Sequence, residues 1–192
     1  MSLESLTTLA SVGTFIVIAA SAIAAFVQLR HMRGTNSITA LTECREVMES
    51  EEFRAAERFI SHTLPELLED ANVRERLRRR PLDAELSQIN VIGNFYENLG
   101  GYIRYGIVDK EVALSFWSGV VVHDWDALTP ALAIFRRDRG PGLWEQFEYL
   151  AKISQQWIAS HPNGTYPRDL ERLPVIDVWL EADRPAAPRS AR

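Results

Sequence analysis

The feature that most constrains this chain is a run of 25 residues without a charged side chain, from Ser5 to Leu29. In a helix that rises ~1.5 Å per residue, this run reaches roughly 37 Å, which is enough to cross the hydrocarbon core of a bilayer. We therefore predict a single transmembrane helix over residues 5–29, with residues 1–33 forming an anchor and its basic flank.

A cleaved signal peptide is the main alternative to an anchor. The small residues of Ala22-Ile23-Ala24 resemble a cleavage site. Signal peptides, however, begin with a basic region, whereas the only charged side chain before the apolar run is Glu4. The sequence therefore favours an anchor that is retained.

The charges that follow the run predict its orientation. Arg30, His31 and Arg33 come directly after it. Basic residues are enriched on the cytoplasmic side of membrane helices. We expect the N-terminus outside the cell and the C-terminal domain in the cytoplasm.

Charge and cysteine content exclude several functions. The net charge is -5, and 21 basic residues are interspersed with 26 acidic ones, a pattern that argues against nucleic-acid binding. The single cysteine, Cys44, excludes an internal disulfide and a metal site built from cysteines. We expect no nucleic-acid partner.

Residues 34–160 carry apolar side chains at helical spacing, which predicts an all-α fold: the anchor followed by an antiparallel bundle of about five helices. Residues 34–37 are predicted to be a short polar linker. Ser50 and Asp109 are predicted N-caps, and Gly106 is predicted to end a helix in the left-handed conformation.

The remaining segments are predicted as follows. Residues 65–81 are rich in charge, which predicts a short helix and an exposed loop. Asp83 is the predicted cap of the long helix after them. In the next helix the buried stripe is expected to include Val112, Phe116 and Val120, with a kink or restart at Pro130. Residues 161–192 read as a turn-rich segment and a disordered tail.

Two sets of polar residues are candidates for chemistry. His123 and Asp124 together resemble half of a divalent-metal site, but no second histidine lies at ligand spacing on the same helix. We therefore expect no metal and no cofactor, with Asp124 in solvent and His123 near a helix bend.

Glu97 and Glu148 each lie beside aromatic residues, whose burial could adapt a carboxylate to general acid or base catalysis. The simpler interpretation is that each pairs with an arginine, Arg104, Arg136 or Arg137, and holds the register of two helices. Asn94 could share a polar face with Glu97.

Four features stand out between residues 94 and 150: Asn94-Phe95-Tyr96-Glu97-x-x-Gly100, Trp125-x-x-Leu128-x-Pro130, Arg136 and Trp144-x-x-Phe147-Glu148-Tyr149-Leu150. In these features the chain resembles a bacterial family of membrane-anchored helical proteins known as a domain of unknown function. The resemblance covers the anchor and most of residues 35–155. It implies a bacterial inner-membrane protein and supplies no activity.

The sequence thus predicts a membrane-anchored protein whose cytoplasmic bundle is an interaction or regulatory module, with a protein partner or a homo-oligomer, rather than an enzyme. An oligomer would expose an apolar patch near Trp117 or Trp179. The alternative is a membrane-tethered hydrolase, which requires Glu97 or Glu148 to meet His123 in one pocket.

Overall fold

The structure is a computed structural model that describes the backbone of residues 3–180 and the side chains of residues 13–28 and 37–180. All the regular elements in these residues are helices, which confirms the predicted all-α class, although six α-helices rather than five follow the first. They are α1 Leu3–Glu49, α2 Glu51–Arg58, a π-helix Phe59–Thr63, α3 Leu64–Leu67, α4 Ala71–Arg78, α5 Gln88–Arg104, α6 Lys110–Arg139 and α7 Glu145–Ser160.

The chain divides into two compact units, one ending at Pro162 and the other beginning at Asn163. In the second unit, the Tyr166 hydroxyl donates to the Glu171 carbonyl at 3.0 Å, and the Arg172 guanidinium lies 4.9 Å from the centre of the Tyr166 ring. The predicted disordered tail falls largely on residues 181–192, which lie outside the described part of the chain.

Helix α1 runs without interruption from Leu3 to Glu49. The predicted linker at residues 34–37 is therefore wrong. One glycine costs a helix only about 1 kcal/mol, and extending a helix that already exists on both sides is much easier than starting a new one.

None of the helices in the described residues combines the length and the apolar character that crossing a bilayer requires. Part of the predicted anchor, residues 5–12 and Leu29, has side chains outside the described part of the chain.

The segment after α1 consists mainly of short helices. Ser50 is the N-cap of α2, as expected, and its Oγ accepts from the Phe53 amide at 3.2 Å. The short helix and exposed loop predicted within residues 65–81 correspond to α4 and to the exposed residues 79–81, and α4 buries Val73 and Leu77. These two side chains lie four residues apart on one face, which is enough to dock a short helix.

Helices α5, α6 and α7 form the centre of the bundle, with α7 packed against both of the others. The turn between α5 and α6 confirms two predictions: Gly106 has φ 70°, and Asp109 Oδ1 accepts from the Val112 amide at 2.9 Å. The predicted cap Asp83 accepts at Oδ1 from the Leu86 amide at 3.1 Å, but it caps a turn that precedes α5, which itself starts at Gln88.

Helix α6 differs from its predicted form in two respects. It continues through Pro130 without a restart, and Pro130 lies at an exposed position. Its first half buries Ala113, Leu114 and Val121, whereas the predicted core residue Phe116 is 73% exposed. The apolar residues of α6 could form either of two neighbouring stripes, and the contacts of α6 with α4, α5 and α7 determine which stripe is buried.

Candidate functional site

The N-terminus of α7 is held by a carboxylate from another helix. Glu97, on α5, accepts hydrogen bonds at Oε2 from the amides of Gln146 and Phe147, both at 2.9 Å. The N-cap residue of α7, Trp144, makes no capping bond with its own side chain. Glu97 therefore supplies the cap, and its negative charge lies at the positive end of the helix dipole.

Trp144 occupies a backbone conformation that bulky residues rarely adopt, with φ 54° and ψ 44°. Its indole is buried, and Nε1 donates to Asn94 Oδ1 at 3.1 Å. The ring lies so close to α5 that a Cβ atom at Gly93 would collide with it. These contacts hold the strained residue in place.

Arg136 completes the attachment of α7 from the side of α6. Its Nε and Nη2 donate to the Leu143 carbonyl at 3.1 and 2.8 Å, and Nη1 lies 2.7 Å from Glu148 Oε2. The predicted Glu148–Arg136 pair is thus confirmed. The predicted pairing of Glu97 with an arginine is wrong, because Glu97 binds backbone amides instead.

Four of the five candidate residues therefore gather at the start of α7, and each makes a contact that fixes this helix. We call this set, Asn94, Glu97, Arg136 and Glu148, the α7 clamp. The glutamates of the two aromatic-glutamate motifs therefore have structural roles. Glu97 binds backbone amides, and Glu148 binds the Arg136 guanidinium.

A different polar pair lies inside the bundle. The Tyr96 hydroxyl donates to Asp124 Oδ2 at 2.9 Å, and both residues are 0% exposed. The Phe147 ring stacks on Tyr96 with centroids 4.7 Å apart. Asp124 Oδ1 has no hydrogen-bond partner among the described residues.

Burial controls the protonation of this pair. It raises the pKa of Asp124 to about 6; the hydrogen bond from Tyr96 lowers that pKa, and the Glu57 carboxylate raises it. Burial, together with the charge of Asp124, also raises the pKa of Tyr96 well above its usual value. With a pKa of about 6, Asp124 changes its charge in mildly acidic solution.

The prediction that Asp124 is solvated is wrong, and the sequence does contain a signal for its burial. Val121 and Leu128, three residues before it and four after it, are both buried. A residue at that spacing lies on the same stripe of the helix.

His123 is exposed, and its hydrogen-bond partner is not a residue of the α7 clamp. Its Nε2 is 3.2 Å from Ser61 Oγ, in the π-helix that follows α2. Short π-helices are frequent at functional sites. Among the described residues, however, no group of three or more histidine, cysteine, aspartate or glutamate side chains could hold a metal ion.

A groove lies between the C-terminal part of α1 and the N-terminal half of α6. Its volume is about 480 Å³. We call it the α1–α6 groove, and it is lined by Ile38, Leu41, Thr42, Arg45, Met48, Glu49, Phe116 and Trp117.

The lining of the α1–α6 groove is mainly apolar and open to solvent. Phe116 is 73% exposed and Ile38 is 67% exposed, while Trp117 is half-buried. At the rim, Arg45 Nε lies 2.8 Å from Glu49 Oε1. Exposed aromatic and aliphatic side chains around a concave surface are typical of a binding site.

A smaller cavity of about 170 Å³ lies on the other side of α1, beside Cys44 and Phe95. Burial raises the pKa of the Cys44 thiol, so this cysteine is a poor nucleophile. Neither cavity is lined by Glu97, His123 or Glu148.

Comparisons with curated proteins and with solved structures return no match. One protein family does match, over residues 15–157, and its description is a domain of unknown function. The matched range includes the α7 clamp, the Tyr96–Asp124 pair and the whole α1–α6 groove. The chain therefore belongs to the family described as domain of unknown function DUF4760.

Proposed function

We propose that this protein is a membrane-anchored interaction module that binds an amphipathic helix of a membrane-bound protein in its α1–α6 groove. The observation that carries the proposal is the exposed apolar lining of that groove, above all Phe116, which is 73% exposed on a helix that buries most of its other apolar residues. Full burial of one such side chain contributes about 1.5–3 kcal/mol.

The shape and charge of the groove fit a helical ligand. An amphipathic helix inserts apolar side chains spaced three and four residues apart into a groove, and its polar side chains remain at the rim. Here Ile38, Met48 and Phe116 offer apolar contacts along the groove, while Arg45 and Glu49 lie at one edge. Both rim charges could pair with a ligand of mixed charge.

Anchoring to a bacterial inner membrane is part of this proposal, and it rests on the charge-free residues 5–29 and the basic residues after them. Because α1 is continuous, Ile38 to Met48 would lie roughly 13–28 Å beyond Leu29 at ~1.5 Å per residue. The groove would then face the cytoplasm within reach of other membrane proteins.

The alternative function, a membrane-tethered hydrolase, has weaker support. Glu97 and Glu148 are both engaged in holding α7, and His123 contacts Ser61 instead. A hydrolase would need one of these carboxylates and His123 to act on the same substrate atom.

Site-specific photo-crosslinking tests the proposal. A benzophenone amino acid is placed at Phe116 in the full-length protein, which is irradiated in its own membranes. Tyr105 is the matched control, because it is 74% exposed but lies on the turn between α5 and α6, outside the groove.

We expect a protein adduct from position 116 and none, or several-fold less, from position 105. Equal labelling at both positions, or no protein adduct from position 116, would show that the groove is not a binding surface.

A further inference from the structure

We propose that the helix bound in the α1–α6 groove is α1 of a second copy of this chain, so that the protein is a parallel, two-fold symmetric dimer. This inference rests on the proposed function, since it names the partner of the same groove.

The first argument is the spacing of the side chains that α1 contributes to the groove. Ile38, Leu41, Arg45 and Met48 follow one another at intervals of three, four and three residues. This is the a/d spacing by which two helices pack side chains into each other along a coiled coil. Leu41 and Met48 also pack partly against the core of their own bundle, next to the buried Cys44, whereas Ile38 and Arg45 are exposed.

The second argument is the charge of the groove, which is complementary to itself. Arg45 and Glu49 carry opposite charges one helical turn apart, and their side chains are 72% and 53% exposed. In a symmetric pair of α1 helices, each guanidinium can exchange its own carboxylate for that of the second copy. Each charge then keeps a counterion, whereas a purely acidic partner would place like charges beside Glu49 and a purely basic partner would place them beside Arg45.

The third argument concerns orientation. Helix α1 continues without a break from the charge-free run to Glu49. Two copies anchored in one membrane therefore present α1 in the same direction, and confinement to the membrane raises their effective concentration. Phe116 and Trp117 of each copy would lie beside the paired helices and cover their apolar stripe.

Cysteine crosslinking in native membranes tests this arrangement. Cys44 is the only cysteine of the chain, so Cys44→Ala gives a cysteine-free background for the full-length protein. Ile38→Cys and Leu41→Cys place a thiol on the paired stripe, and a symmetric parallel pair brings each one close to its own copy. Glu46→Cys is the matched control, since it is an exposed position about 140° around the helix from Leu41 and outside the groove lining.

On mild oxidation we expect a disulfide-linked dimer from the Ile38→Cys or Leu41→Cys variant, at least five-fold more abundant than from Glu46→Cys. Because Ile38 is mostly exposed, its substitution leaves the core intact. Dimer formation from all three positions to the same extent would indicate random collision and overturn the inference.

Monomer alone from positions 38 and 41 would also overturn it. The photo-crosslink from position 116 then separates the two proposals. An adduct with a different protein would leave the interaction module standing and exclude the second copy as its ligand, whereas no adduct would remove both.

Discussion

Asp124 is a carboxylate enclosed inside the bundle. It is fully buried, and Tyr96 donates the hydrogen bond that supports its charged form. Its pKa rises from 3.8 to about 6, so the folded state holds its proton more tightly than the unfolded state does. The associated stability is fully present below pH 4 and is lost as the pH rises through 6.

Replacing Asp124 by asparagine should stabilise the protein at neutral and alkaline pH. The buried charge costs about 3 kcal/mol above pH 7, since each tenfold change in proton affinity corresponds to ~1.4 kcal/mol. The amide oxygen of the introduced asparagine can still accept from Tyr96. For Asp124→Asn we therefore expect a gain of about 1–3 kcal/mol at pH 8 and little change at pH 4, measured by urea unfolding in mild detergent.

Asp126→Asn is the control for this change, because Asp126 is an exposed carboxylate on the same helix. Its unfolding should follow that of the unsubstituted protein at every pH. If Asp124→Asn lowered the stability at pH 8, the assignment of a destabilising buried charge would be wrong.

At the scale of elements, α7 depends on its neighbours for its N-terminus. Glu97 on α5 caps this N-terminus, and Arg136 on α6 binds the carbonyl of Leu143 just before the helix. Two glycines of α5, Gly93 and Gly100, let α7 and its cap residue Trp144 approach closely. Helix α5 thus needs these small residues where α7 crosses it. A substitution there should act on the packing of two helices rather than on α5 itself.

Adjacent glycines of α5 test this dependence. A Cβ at Gly100 would collide with the Gln146 carbonyl, whereas a Cβ at Gly101 meets no atom within 4 Å. We expect Gly100→Ala to lower the free energy of unfolding by about 1–3 kcal/mol. Gly101→Ala should raise it by about 0.5–1 kcal/mol, because alanine restricts the unfolded chain more than glycine does.

Urea unfolding followed by tryptophan fluorescence would measure both variants. Effects of the same sign and size would show that α7 does not lie against Gly100 as closely as the structure indicates.

At the scale of the whole molecule, α1 joins the charge-free N-terminal run to the bundle as one continuous helix. If this run is an anchor, the length of α1 sets the distance between the membrane and the α1–α6 groove. The anchor and the groove would then be joined by one continuous helix, with no linker between them.

Membrane fractionation tests the anchor. A charge at Val17, in the middle of residues 5–29, should cost about 2.5–3.5 kcal/mol in a bilayer. We expect Val17→Arg to move a large part of the protein into the soluble fraction, whereas Val17→Leu should remain in the membrane pellet after an alkaline wash. Recovery of both variants in the same fraction would contradict the proposed anchor.

The sequence alone was enough to predict the features that depend on near neighbours. The all-α class, the Ser50 and Asp109 caps and the left-handed Gly106 follow from residues within four positions of each other. Local spacing gave a wrong prediction where it was compatible with two local structures. Residues 34–37 continue a helix, and the first half of α6 turns a different face to the core than its pattern suggested.

Tertiary structure decided the rest, because the decisive contacts join residues far apart in the chain. Glu97 caps a helix that begins almost fifty residues later, and Tyr96 meets Asp124 from another helix. The α1–α6 groove exists only because Ile38 and Phe116 end on the same surface. Periodicity determines which face of a helix is apolar, but the packing of the helices determines which apolar side chains remain uncovered and which carboxylate is enclosed.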